Sequence, residues 1–282
     1  MTPTAALTLA FDPIVRIGGL EVRAQTVVLA VVILAGLFVL GRIGRITPQS
    51  GPYVPAPTLR PDDLPFLALG VVPGAVIGGR LEYVLLHFDY YTANPAAILD
   101  PAQGGLALGL AVVGGTLGGI AIARLVGAPV DRWMHAAALP VLFVLAAGKI
   151  AAVLAADGQG LPSDLPWATA YMGSGPWGSL APEVPSHPAQ VYEAISTTVV
   201  IAVIGLALRL GAFGRRDGSA LLAGVGLWAI GRGIVAFTWR DAAVVGPFKA
   251  EHLVLAVVIG GCVGGLIRLR LGGPPKAISW RT

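Results

Sequence analysis

Long apolar runs separated by short polar segments dominate the chain. Residues 24–40, 64–88, 106–125, 136–156, 188–210, 220–239 and 253–271 are apolar over most of their length. Roughly 20 such residues cross the hydrocarbon core of a bilayer as one helix. The pattern therefore predicts an all-α polytopic membrane protein with about seven transmembrane helices. It reads as a single integral membrane domain over residues 1–282, with a transmembrane core at 23–271 and a tail at 272–282. The polar connectors differ in kind. Residues 42–63 are rich in proline and basic, the mark of an extended linker. Residues 89–103, with Tyr90 and Tyr91, read as an interfacial excursion. Residues 157–187 form the longest hydrophilic stretch and hold five prolines, with Trp167 and Trp177 expected as interfacial anchors. A connection of that length usually has a function of its own. Residues 1–22 lack the basic start and cleavage site of a secretory signal, so they are expected outside the bilayer, lying on its surface.

Composition narrows the class. With 55% hydrophobic and 12% charged residues, and a mean hydropathy of +0.78, the chain cannot be a soluble globule. The formal charge of +4 does not signal nucleic acid, because the basic residues gather at the ends of the runs. Twelve Lys or Arg fall in the connectors after runs one, three and five and in the tail, against four on the other side. The positive-inside rule then places the N-terminus outside, the C-terminus in the cytoplasm, and the head-like loop 157–187 on the extracytoplasmic face. Cys262 is the single cysteine and sits in an apolar run, which leaves no disulfide framework and no thiolate cluster.

Candidate chemistry lies where charge enters the apolar runs. Pro185-Ser-His-Pro-Ala-Gln-Val-Tyr-Glu193 opens the fifth run. Pro188 suits the start of a helix, and the free N–H groups there favour an anion such as a lipid phosphate. Glu193 lies one turn inside, where a carboxylate normally lines a polar cavity or pairs with a cation. Arg80 and Glu82 stand two apart and cannot face each other on a helix; Arg80 is expected in a functional cavity and Glu82 at the surface. Lys149 and Asp157 share nearly one face, two turns apart. Arg232 is too deep to reach the surface easily, so a buried role is expected, whereas Arg240 reads as interfacial. Gly74 and Gly78, Gly114 to Gly119 and Gly260 to Gly265 carry small-residue spacings that imply close helix packing. Together these cations, beside an outward helix start, make a clamp for an anionic headgroup.

The motif His187-Pro-Ala-Gln-Val-Tyr-Glu193 follows Leu165-Pro-Trp167, Gly79-Arg80-Leu81 with Tyr83, Gly104-Gly105, Gly114-Gly115 and Phe11-Asp-Pro13. In that combination the chain resembles the prolipoprotein diacylglyceryl transferase family over nearly its whole length. The resemblance implies a multi-pass plasma-membrane enzyme that moves diacylglycerol from phosphatidylglycerol, or another anionic phospholipid, to the lipobox cysteine of a preprolipoprotein. It releases glycerol phosphate and implies no metal or organic cofactor. On the same basis Arg232, His187 and Asp157 are the catalytic candidates, and Arg80, Lys149, Gln190, Tyr192 and Glu193 the substrate-binding ones. Arg80, Lys149 and Arg232 would meet the phosphate and glycerol, Gln190 and Glu193 would fix those cations, and Asp157 would sit at the outer mouth. His187 is either a base or a group that orients its own helix.

Several family positions are substituted. The family's first-span tyrosine falls on Gln25, its catalytic histidine on Val113, and its Gly-Arg-x-Gly-Asn signature on Gly148-Lys149-Ile150-Ala151-Ala152; later glutamates become Asp157 and Ala236. Lys149 keeps the charge but lacks the two-bond arginine fork, and Val113 cannot move a proton. Two alternatives therefore stand beside the transferase: a relative that binds lipid or lipoprotein without catalysis, and one that transfers a different lipid.

Overall fold

The computed structural model describes residues 6–46, 59–100, 105–173 and 175–271. Most of the proline-rich linker, Gln103 with Gly104, and the tail with Lys276 and Arg281 lie outside the described residues. Among those described, seven helices are long and apolar enough to cross a membrane. They are α1 (Ala24–Ile46), α2 (Asp63–Leu86), α4 (Leu108–Leu125), α5 (Val130–Val153), α6 (Ala189–Arg209), α7 (Ser219–Ala236) and α8 (Ala250–Leu271); α3 (Phe88–Ala93) is a short helix in the excursion after α2. All seven expected spans are present, with shifted ends. α1 runs on through Arg42 and Arg45, because no proline interrupts it there. α5 starts at Val130 and takes Asp131 into its first turn, where a carboxylate suits the helix dipole.

Two glycine-rich faces hold α2 against α4. A Cβ at Gly74 would stand 2.3 Å from the Gly114 carbonyl oxygen, and one at Gly118 would stand 2.2 Å from that of Gly70. Only residues without a side chain allow such an approach. The glycines of α8 divide: a Cβ at Gly265 would stand 2.9 Å from Leu222 of α7, as close packing requires, whereas around Gly260, Gly261 and Gly264 an added Cβ meets nothing within 4 Å. Helices α5 to α8 share an apolar core built on Leu142, Ile204, Trp228 and Leu255. Outward-facing residues such as Leu34, Phe38, Leu69, Ile77 and Val257 are apolar and exposed, as a lipid-facing surface requires.

The extramembrane parts are more ordered than the hydropathy pattern implied. Within residues 6–23 three short strands form. β1 (Leu7–Ala10) pairs in parallel with β4 (Thr169–Met172) of the long loop, and β2 (Ile14–Ile17) turns back on β3 (Leu20–Arg23) through Gly18-Gly19. Gly18 has φ +60°, which a two-residue hairpin demands. β5 (Ala243–Val245) and β6 (Phe248–Lys249) form a second hairpin before α8.

Phe11 packs edge-on against Tyr171 and Trp177, whose rings tilt against each other, with centroids 5.4–6.3 Å apart, so Trp177 belongs to a small head core. Burial there pushes the Tyr171 phenol up to about 12. Arg240, expected to be merely interfacial, is the staple of this head. Its guanidinium donates to the Gly160 carbonyl (2.8 Å), Ser179 Oγ (3.0 Å) and Ser186 Oγ (2.9 Å).

Candidate functional site

Five buried charged side chains meet near the strand-bearing ends of five helices. Glu193, in the second turn of α6, is their hub. Its Oε1 lies 3.0 Å from Lys149 Nζ of α5, and its Oε2 accepts a bond from Arg232 Nη1 of α7. Arg232 Nε donates in turn to Glu251 Oε1 of α8 at 2.7 Å. Glu82 of α2 lies close to the first turn of α8, its Oε1 and Val254 Cγ1 standing 2.8 and 3.1 Å from where a Gly109 Cβ would be, and its Oε2 accepts the Leu110 N–H at 2.6 Å, capping the first turn of α4. Trp239 roofs the two cations, its ring centre 4.5 Å from Arg232 Cζ and 5.9 Å from Lys149 Nζ. Glu82 is fully buried, and Glu193, Arg232 and Glu251 expose 3–6% of their side chains, whereas Lys149 keeps 20%. Lys149 is thus the cation on the open side. Attraction between these charges is strong in a medium of low dielectric, but so is the cost of dehydrating them. The arrangement therefore fixes geometry more than it adds net stability.

Local sequence explains the convergence. Pro188 and the backbone pairing of His187 with Gly160 and Leu161, at 2.8 and 3.0 Å, set where α6 begins and hence where Glu193 points. α8 begins at Ala250, so Glu251 falls in its first turn, a favourable place for a carboxylate. Sequence reasoning missed Glu251 because the apolar run was read from residue 253. An acidic residue just before that run, at a helix start, was the available signal. Arg232 thus draws its second carboxylate from α8, while Ala236, the position of the family glutamate, is fully buried. Val113 packs against the apolar core of α5 to α8 and carries no polar chemistry.

The remaining candidates are placed unequally. Gln190 is 1% exposed, and among the described residues neither its amide oxygen nor its nitrogen has a partner. A buried amide left so is rare and calls for a bound polar group. Tyr192 Oη accepts a bond from Trp167 Nε1 at 2.8 Å and lies 3.3 Å from His187 Nδ1. The phenol hydrogen is then free to donate to Nδ1, which leaves the imidazole proton on Nε2. His187 therefore bonds Tyr192 rather than the ion cluster. Asp157, exposed just beyond α5, accepts a long bond of 3.4 Å from Gln25 Nε2 of α1.

Arg80 departs most from expectation. Its guanidinium donates to the carbonyls of Ala97 (2.7 Å), Ile98 (2.9 Å) and Asp100 (3.0 Å) and lies 5.3 Å from the Tyr91 ring centre. It stitches the excursion after α2 together instead of joining Lys149 and Arg232. Glu82, expected at the surface, is the buried member of that pair of positions. From α2 the two side chains leave on different faces, so only one could enter the cluster.

A bundle of seven membrane-length helices with a charged cluster and an unsatisfied amide under a folded head defines a multi-pass membrane protein with a buried polar site. More particularly, the chain belongs to the prolipoprotein diacylglyceryl transferase family, whose family model matches residues 13–268. Among curated relatives, the phosphatidylglycerol–prolipoprotein diacylglyceryl transferase of Brucella anthropi is 30% identical over 205 residues, covering 72% of this chain and 70% of that protein. That of Brucella canis is 33% identical over 218 residues, covering 75% and 73%. The Acaryochloris marina protein of the same name is 26% identical over 278 residues, covering 95% and 93%.

Proposed function

We propose that this chain transfers the diacylglyceryl group of phosphatidylglycerol to the lipobox cysteine thiol of a prolipoprotein at the plasma membrane. The observation that carries this reading is the buried, unpartnered Gln190 amide, one turn before Glu193 of the Lys149–Glu193–Arg232 bridge on the same helix. A phosphodiester entering from the open side would meet Lys149 first and give Gln190 the polar partner it lacks. In the reaction the thiol sulfur bonds to the terminal glycerol carbon of the diacylglyceryl group, the bond from that carbon to the phosphate oxygen breaks, glycerol phosphate leaves with its negative charge, and the thiol proton passes to the departing phosphate or to water. Arg232 and Lys149 stabilise that charge as it develops, the kind of contribution preorganised cations make best. Glu193 aims both cations. Tyr192 and His187 shape the outer rim, Asp157 marks the mouth with Gln25, and Arg80 holds the excursion that forms one wall. The bias of Lys and Arg toward the opposite end of the bundle supports placing the strand-bearing end outside the cytoplasm.

The test combines purified protein, phosphatidylglycerol micelles and a lipobox peptide, with peptide mass and released glycerol phosphate read together. A diacylglyceryl-sized gain that disappears in Arg232→Ala is expected. No gain, while a relative with the complete family motifs is active in parallel, would overturn the assignment.

A further inference from the structure

The connection between α7 and α8 carries apolar side chains where a segment in water would carry polar ones. Residues 242–248 read Ala-Ala-Val-Val-Gly-Pro-Phe, without a charged or hydrogen-bonding side chain. All of them are exposed, Val244 and Val245 at 58–59%. They build the β5–β6 hairpin, which turns through Gly246, at φ +56°, and Pro247. Successive side chains of a strand point to opposite faces, so the run Ala243-Val244-Val245 makes both faces of β5 apolar. Consecutive exposed apolar residues of this kind mark contact with an apolar partner.

The base of the hairpin identifies that partner. Leu227, Ile230, Ile234 and Phe237 recur at helical spacing along α7 and its C-cap, and all are exposed, as the lipid-facing side of a span is. The Phe237 ring lies 5.8 Å from that of Phe248, centre to centre, so the stripe runs on into the hairpin. Both rings pack on His252 of α8, at 4.5 and 5.5 Å, and Leu253 and Val257 carry the exposed apolar surface down that helix. The bordering cations turn away. Lys249 is buried and donates Nζ to the carbonyls of Phe237, at 3.4 Å, and Trp239, while Arg240 is held by the head. Asp241, exposed, stands at the hairpin's root.

We propose that the β5–β6 hairpin is a membrane finger that lies in the leaflet at the strand-bearing end of the bundle, with Val244, Val245 and Phe248 in lipid. Three strand residues reach about 10 Å, close to the roughly 5–10 Å at which apolar faces settle into the boundary between headgroups and acyl chains. The outer backbone groups of a two-stranded hairpin need water or headgroups, which keeps it at that boundary and out of the bilayer centre. Lys249 ties the finger to the Trp239 carbonyl, and the Trp239 ring roofs Arg232 and Lys149. The bilayer surface thereby sets the height of that roof.

Nitroxide labels on Val244→Cys and Val245→Cys, in full-length protein reconstituted into phosphatidylcholine vesicles, test the finger. Cys262 is the single native cysteine and is buried; unsubstituted protein gives its background. Oxygen concentrates in lipid and a nickel chelate stays in water, so the ratio of their effects on the saturation of the spin signal reads immersion. Val257→Cys on α8 serves as the lipid reference and Glu183→Cys in the exposed loop as the aqueous one. Both hairpin labels should respond more to oxygen than to the chelate, with a ratio several-fold above that at position 183. A label at either valine that matches position 183 would overturn the proposal by placing the hairpin in water. One shielded from both reagents would overturn it by showing the hairpin covered with protein. The outcome is separate from the transferase reading, because neither phosphatidylglycerol nor peptide is present.

Discussion

Arg232 and Glu251 meet at 2.7 Å across the interface of α7 and α8, with the guanidinium's other arm held by Glu193. One planar fork therefore ties three helices. Arg232→Met would leave two buried carboxylates short of a partner, a loss of roughly 3–5 kcal/mol. Thermal unfolding in detergent should show it, and transfer should drop by about 10²-fold or more. Arg232→Lys keeps the charge but cannot span both carboxylates, so it should recover little of either.

Gln190 offers the opposite signature. Its amide contributes no hydrogen bond among the described residues, so Gln190→Leu should leave thermal stability unchanged or raise it by about 1 kcal/mol. Binding of phosphatidylglycerol, followed by fluorescence of a labelled lipid, should weaken roughly tenfold, since one charge-assisted bond accounts for about 1.5 kcal/mol. A variant that lost stability and kept its lipid affinity would contradict the placement of substrate against this residue.

The glycines of α2 and α8 should separate cleanly. Gly74→Ala places a methyl within 2.3 Å of a backbone carbonyl, and overpacking of that kind costs roughly 1–3 kcal/mol. Gly261→Ala enters open space and gains the helical preference of alanine, up to about 1 kcal/mol. Parallel thermal melts of the two variants check both signs.

Arg240→Ala removes three bonds that fasten residues 160, 179 and 186 to the end of α7. Bonds from a charged donor contribute about 1.5–3 kcal/mol each. Limited proteolysis should then cut within residues 157–187 at a protease concentration that leaves the wild type whole, while the helices stay intact.

The spans were legible because hydrophobic runs of helix length have few other uses, and the depth of Glu193, Lys149 and Arg232 within them marked each as needing a partner. Which partner was not legible. Arg80 and Glu82 are two residues apart, and only tertiary packing decides that the carboxylate turns inward under α4 while the guanidinium collects loop carbonyls. Glu251 escaped notice because a helix can begin before its apolar run does. The strands of the head were missed for a related reason. Three or four residues carry too little pattern, although Gly18-Gly19 was a usable hairpin signal. Arg240 looked interfacial because its role depends on serines and carbonyls that the chain brings back from some 60 to 80 residues away.

The parallel pairing of β1 with β4 bears on how the protein is made. Leu7 finds its partner in Thr169, so the first strand must wait for about 160 further residues, which takes roughly 8–30 s at ordinary rates of synthesis. Four spans, α1, α2, α4 and α5, lie between the two strands. An even number returns the chain to the side on which it started. The pairing of the head is therefore tied to the parity of insertion: it can close only when an even number of those helices has crossed, and a single missed crossing would leave the two strands on opposite faces of the bilayer.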